Sequence, residues 1–123
     1  MNERGPAAVT GEVLGGDIAA HAARDLPHGP APDGLARPDD AVAPELAARI
    51  RALALNGLEI EERSQLSAAA CWHEAGRLLD RRARRPAEAW LCHSRAVAVH
   101  PEHRPAMIAL RRLAERGGAG ETL

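Results

Sequence analysis

Two short stretches put groups that could do chemistry close together: CWHEAG at 71–76 and LCHSR at 91–95. Each pairs a thiol with an imidazole, both zinc-ligand types, so Cys71, His73, Cys92 and His93 are the first candidates for a metal site. Spacing argues against a shared ion within either stretch. On a helix Cys71 and His73 stand about 200° apart, and Cys92 and His93 about 100° apart, so neither pair converges from one segment. No His pair stands four residues apart and no C-x-x-C occurs. The plain alternative is two small core cysteines with histidines on a helix surface or in a groove. No metal or other cofactor is expected, and a small metal- or ligand-binding helical protein using Cys71, Cys92 and nearby His stands as the alternative function.

A third stretch, RLLDRRARRP at 77–86, concentrates Arg77, Arg81, Arg82, Arg84 and Arg85. Near a helix C-terminus such cations favour the macrodipole. They could also form an anion-binding face for an acidic protein partner, for the chain's own acidic arm or for nucleic acid. Nucleic acid is the weakest of the three, because the net charge is −1 and the region lacks stacking aromatics. Trp90 reads as the main core residue of an Ala-rich hairpin or as an interface anchor. The chain shows no nucleophile elbow, phosphate loop or zinc-protease pair, so no enzymatic activity is expected.

These groups need elements to position them. The 123 residues suit one small domain. There is no Lys, Phe or Tyr, and much of the apolar content is Ala. Residues 1–45 carry eight acidic side chains against three Arg, so the remainder is basic. Residues 1–43 hold most of the Pro and read as an acidic, Pro/Gly-rich, largely irregular and disordered arm. Within it, Asp17 could cap a short helix over 17–26 whose Ile18, Ala22 and Leu26 share one face.

A helical domain is expected over 44–118, with helices at about 44–56, 59–84, 87–100 and 105–116 and a tail at 119–123. Pro44 and Glu45 suit a helix start, Leu46, Ile50 and Leu53 form a stripe, and Asn56-Gly57 reads as a left-handed stop. The second helix starts near Glu59 or at Ser64, with Leu66, Ala69, Trp72 or His73, Gly76 and Leu79 as its stripe. In the last helix Met107, Leu110 and Leu113 face one way and Arg111, Arg112 and Glu115 another. No alternating strand pattern of useful length occurs, so the fold is expected to be all-α. No run approaches the ~20 apolar residues of a membrane span, and nothing resembles a secretory signal, so a cytoplasmic location is expected.

The stretches RALALNG at 51–57 and RAVAVHP at 95–101 echo each other at an offset of 44 residues, a period within the range of stacked helical hairpins. The segment EAGRLLDRRARRPAEAWLCHSRAVAVHP resembles a tetratricopeptide repeat. Gly76, Ala89 and Ala96 match that family's small residues at the helix crossing, Leu79 and His93 its aromatic slots, and Pro101 its terminator. The match covers about residues 66–101. Its loop is one residue longer than the family's, and the family's carboxylate-clamp residues have no counterparts. The resemblance implies antiparallel helical hairpins and a non-catalytic adaptor or accessory subunit. Such a protein binds a protein partner in a groove lined by the first helix of each hairpin, which points to the vicinity of His73 and Arg77. With Arg81 and Arg84 of the arginine run and Trp90, these make up the candidate partner-binding residues. A second copy of the chain is left open as another partner.

Overall fold

The computed structural model describes residues 29–37 and 42–118. Among them a 3-10 turn at Pro32–Gly34 precedes four α-helices: α1 Pro44–Ile60, α2 Gln65–Arg81, α3 Pro86–Val99 and α4 Arg104–Gly118. No strand occurs among the described residues, as the all-α expectation requires. The expected helix at 17–26 and the tail at 119–123 lie outside the described residues. No described helix is long and apolar enough to cross a membrane.

Helix α1 opens as its sequence indicates, with Pro44 in the first turn and Glu45 near the positive end of the dipole. It does not stop at Asn56-Gly57. The helix continues to Ile60, and Gly57 is buried where α1 crosses α2. A Cβ there would lie 3.1 Å from Nε1 of Trp72 and 3.3 Å from Cβ of Cys71. This glycine permits close approach; it does not supply a left-handed turn. The most buried stripe is Ala47, Ile50, Ala54 and Gly57, with Leu46 and Leu53 flanking it half-buried. Small residues occupy the centre of the contact, which brings the two backbones together.

Ser64 settles where α2 begins, because its side chain accepts a hydrogen bond from the Ser67 amide at 3.2 Å. The buried face is wide, from Ala68 and Ala69 through Trp72, Ala75 and Gly76 to Leu78 and Leu79, because α2 packs against both α1 and α3. Leu66, expected on the apolar stripe, is instead 63% exposed. The helix ends at Arg81, short of the expected Arg84. Arg84 adopts φ 58°, and the Arg85 amide donates back to the Leu79 carbonyl at 2.8 Å. The helix end is thus closed through a left-handed residue, with arginine where glycine is usual. Pro86 then starts α3, one residue earlier than expected.

Gly76, Ala89 and Ala96 are all buried, and α2 and α3 pack extensively. A Cβ on Gly76 would sit 2.8 Å from the His93 ring. The loops at 61–64, 82–85 and 100–103 are short, so consecutive helices run antiparallel. Among the described residues, half of the twenty buried apolar side chains are alanine, and one continuous cluster contains nearly all of them.

The echoed stretches are not structurally equivalent along their length. Ala54 is buried while its counterpart Ala98 is exposed, and Ala52 is exposed while Ala96 is buried. Their leading arginines do share a task. Arg51 donates to the carbonyls of Leu35 and Ala36 at 2.9 and 3.0 Å. Arg95 forms an ion pair with Glu61, whose carboxylate also accepts from the Trp72 indole at 2.9 Å. Each arginine ties a non-helical segment to the bundle.

Residues 29–37 lie across α1 and α3. Leu35, Ala36 and Val42 are buried in the core cluster, and the Ala36 amide donates to Glu88 on α3 at 2.8 Å. Gly29 has φ 81°, and a Cβ there would stand 3.0 Å from the Arg95 side chain. This part of the segment expected to be irregular is therefore packed, as a strap, on the helices.

Candidate functional site

On α2, His73, Arg77, Asp80 and Arg81 recur at helical spacing and share one face. On α4, Pro105, Ile108, Ala109, Arg112, Glu115 and Arg116 do the same. The two faces form the walls of an open groove of about 790 Å³, with Arg84 and His93 completing its lining. Its walls run in the same direction. His73 meets the His103 ring near the start of α4, and Asp80 bridges to Arg116 at 2.7 Å near the ends of both helices.

The start of the groove is an imidazole cluster drawn from three elements. The His73 and His93 rings have centroids 4.9 Å apart and Nδ1 atoms 3.2 Å apart. One of these nitrogens must carry the proton and the other accept it, so two charged rings are incompatible with the contact. The His73 and His103 centroids are 5.4 Å apart, and His100 lies edge-on to His103 at 6.3 Å. The His103 Nδ1 accepts from the Ala106 amide at 3.3 Å, which leaves its proton on Nε2.

Burial lowers the pKa of all three central rings. His93, almost fully buried, falls from 6.5 to about 3, first through desolvation and then through the neighbouring His73. Desolvation also leads for His73, followed by His103, and for His103, followed by His100. At neutral pH these three rings are uncharged.

The other end of the groove is cationic. Arg77 makes two hydrogen bonds to Glu74, at 2.9 and 2.8 Å, which hold the Glu74 carboxyl below its usual range. Arg116 pairs with Asp80. The side chains of Arg81, Arg84 and Arg112 make no hydrogen bond or ion pair with any described residue. Ile108 keeps 47% of its surface exposed in the lining.

Of the residues singled out in the sequence, His73, Arg77, Arg81 and Arg84 fall on this groove. Trp90 does not line it. It lies on α3, half-buried against the core. The α4 wall lies outside those candidates, although the sequence pattern puts Arg112 and Glu115 on that helix's polar face. Finding it requires knowing that α2 and α4 lie side by side, which no local spacing reveals.

The cysteines do not act together. Cys92 is buried with its thiol pushed up by desolvation and by nearby Glu88. Half-buried Cys71 accepts from Asn56 Nδ2 at 3.4 Å, towards α1. Among the described residues no three His, Cys, Asp or Glu side chains are grouped to hold a metal ion. His93 contributes to the groove lining yet is almost fully buried, because Gly76 opposite leaves room for its ring. Beside it the Ser94 hydroxyl is buried without a hydrogen-bond partner among the described residues. No protein-family model, curated protein or solved structure matches the chain.

Proposed function

We propose that the chain is a non-catalytic interaction module, built from tetratricopeptide-like hairpins, that holds a protein partner in the groove between α2 and α4. The observation that carries this reading is the groove itself. An open cleft of about 790 Å³ presents an exposed isoleucine beside arginines that have no partner among the described residues. Solvent-facing aliphatic surface next to uncommitted cations is what an interface offers before it is filled.

Support for the hairpin type comes from Gly76, Ala89 and Ala96, all buried where α2 and α3 pack. It also comes from α2 and α4 lying in the same sense along one groove, as first helices of successive hairpins would. The lining offers guanidinium, imidazole, carboxylate and aliphatic groups, with no serine, threonine or cysteine nucleophile.

Selection of random peptides displayed on phage against the full chain tests the proposal. Selected peptides are expected to lose binding to Ile108→Glu combined with Arg112→Glu. They should retain binding to Leu66→Ser, whose exposed side chain lies outside the groove. Binders indifferent to the groove variants, or no binders at all, overturn it.

A further inference from the structure

The two ends of the groove differ, and the difference specifies the occupant's chemistry. At the start of α4 the lining is Pro105, Ile108 and Ala109 beside the uncharged rings of His73 and His93. Towards the ends of α2 and α4 stand Arg81, Arg84, Arg112 and Arg116, opposed in the lining by Asp80 and Glu115. The bland account of these arginines is compensation of two helix C-termini. Each terminus carries only about half a negative charge, so four arginines against two carboxylates still leave a positive excess. Arg81, Arg84 and Arg112 make no ion pair with any described residue.

We propose that the groove takes an acidic segment of a partner protein with an aliphatic anchor at one end. The anchor lies on Ile108 and Pro105, and the carboxylates lie among Arg81, Arg84 and Arg112. This rests on the reading of the groove as the partner site. The order of the two parts follows from the fold, because the parallel walls place every apolar lining residue towards one end and the uncommitted guanidiniums towards the other. Guanidinium groups can bind carboxylates through two hydrogen bonds, which favours a carboxylate-rich chain over a diffuse anion. A polynucleotide is the poorer fit, because the lining has no Trp, Tyr or Phe on which bases would stack.

Fluorescence anisotropy on the full chain provides the test, with fluorescein-labelled synthetic peptides about ten residues long. One carries two leucines followed by a run of glutamates, one the glutamates alone and one the leucines followed by lysines. An oligothymidylate of similar length is the fourth probe. The leucine–glutamate peptide is expected to bind best, with affinity falling several-fold as salt rises. Arg81→Glu with Arg112→Glu should weaken it about tenfold or more, the milder double alanine variant by less, and Ile108→Ser severalfold. Leu66→Ser should leave it unchanged, and circular dichroism checks that each variant stays helical.

Equal binding of the lysine peptide, tighter binding of the oligothymidylate, or indifference to the folded double arginine variants overturns the proposal. Equal binding of the glutamate-only peptide removes the anchor and overturns it as stated. Groove-dependent peptides from the phage selection that lack acidic residues would sink this inference while leaving the groove as the partner site. Failure of both peptide sets at the groove removes the two together.

Discussion

His93 shows how a single side chain can couple stability to pH. In the unfolded chain an imidazole titrates near 6.5, whereas in the fold desolvation moves this one to about 3. As pH falls below 6.5 the unfolded state takes up the proton first, so stability present above that pH is progressively lost. At about 1.4 kcal/mol per unit, this ring alone should remove roughly 2 kcal/mol by pH 5. His73 and His103 shift in the same direction and steepen the decline. Denaturant titrations between pH 7.5 and 5 should show the loss, with a shallower slope in His93→Gln. A slope unchanged by that substitution would remove His93 as its source.

At the scale of elements, two glycines answer differently to the same substitution. Alanine favours a helix over glycine by about 1 kcal/mol. At Gly76 that gain meets the buried His93 ring at 2.8 Å, and overpacking of this kind costs about 1–3 kcal/mol. At Gly57 the nearest atom is Trp72 Nε1 at 3.1 Å, so the clash is milder. Gly76→Ala should therefore lower stability by up to about 2 kcal/mol, and by more than Gly57→Ala. Chemical denaturation of the two variants decides this. Arg84 offers the converse case. Its left-handed backbone is unfavourable for a side-chain-bearing residue, so Arg84→Gly should stabilise the α2–α3 turn by about 0.5–1 kcal/mol. In the proposed function the same change weakens acidic-peptide binding, which separates a positioned cation from an incidental one.

These residues also show what the sequence could reveal. Pro44 and Glu45 mark a helix start because their roles are local. Ser64 is one of two candidate starts, and only the hydrogen bond it accepts from the Ser67 amide selects it over Glu59. Gly57 misled because glycine serves both left-handed stops and close crossings, and only the neighbouring helix distinguishes them. Leu66 misled in the same way, since the buried face of α2 is chosen by two flanking helices. One wall of the groove was legible from the arginine run and the family resemblance. The other required the lateral pairing of α2 with α4, which depends on packing beyond any single segment.

For the whole molecule, the strap formed by residues 29–37 belongs to the core. Leu35 and Val42 are buried, and burying such side chains contributes roughly 1.5–3 kcal/mol each. A chain beginning at Pro44 also loses the carbonyls that Arg51 grips and the amide that Glu88 accepts. Relative to a chain beginning at Gly29, it should lose about 3 kcal/mol or more and melt roughly 12 °C or more lower. Similar melting temperatures for the two would show that the strap adds no stability.

An interior half made of alanine also sets how stability responds to temperature. Hydration of newly exposed apolar surface is the main source of the heat-capacity increment on unfolding. Methyl groups offer little such surface, so calorimetry should give an increment below the usual ~12–15 cal/mol/K per residue. The free-energy curve would then be shallow, with a modest maximum that changes slowly on either warming or cooling.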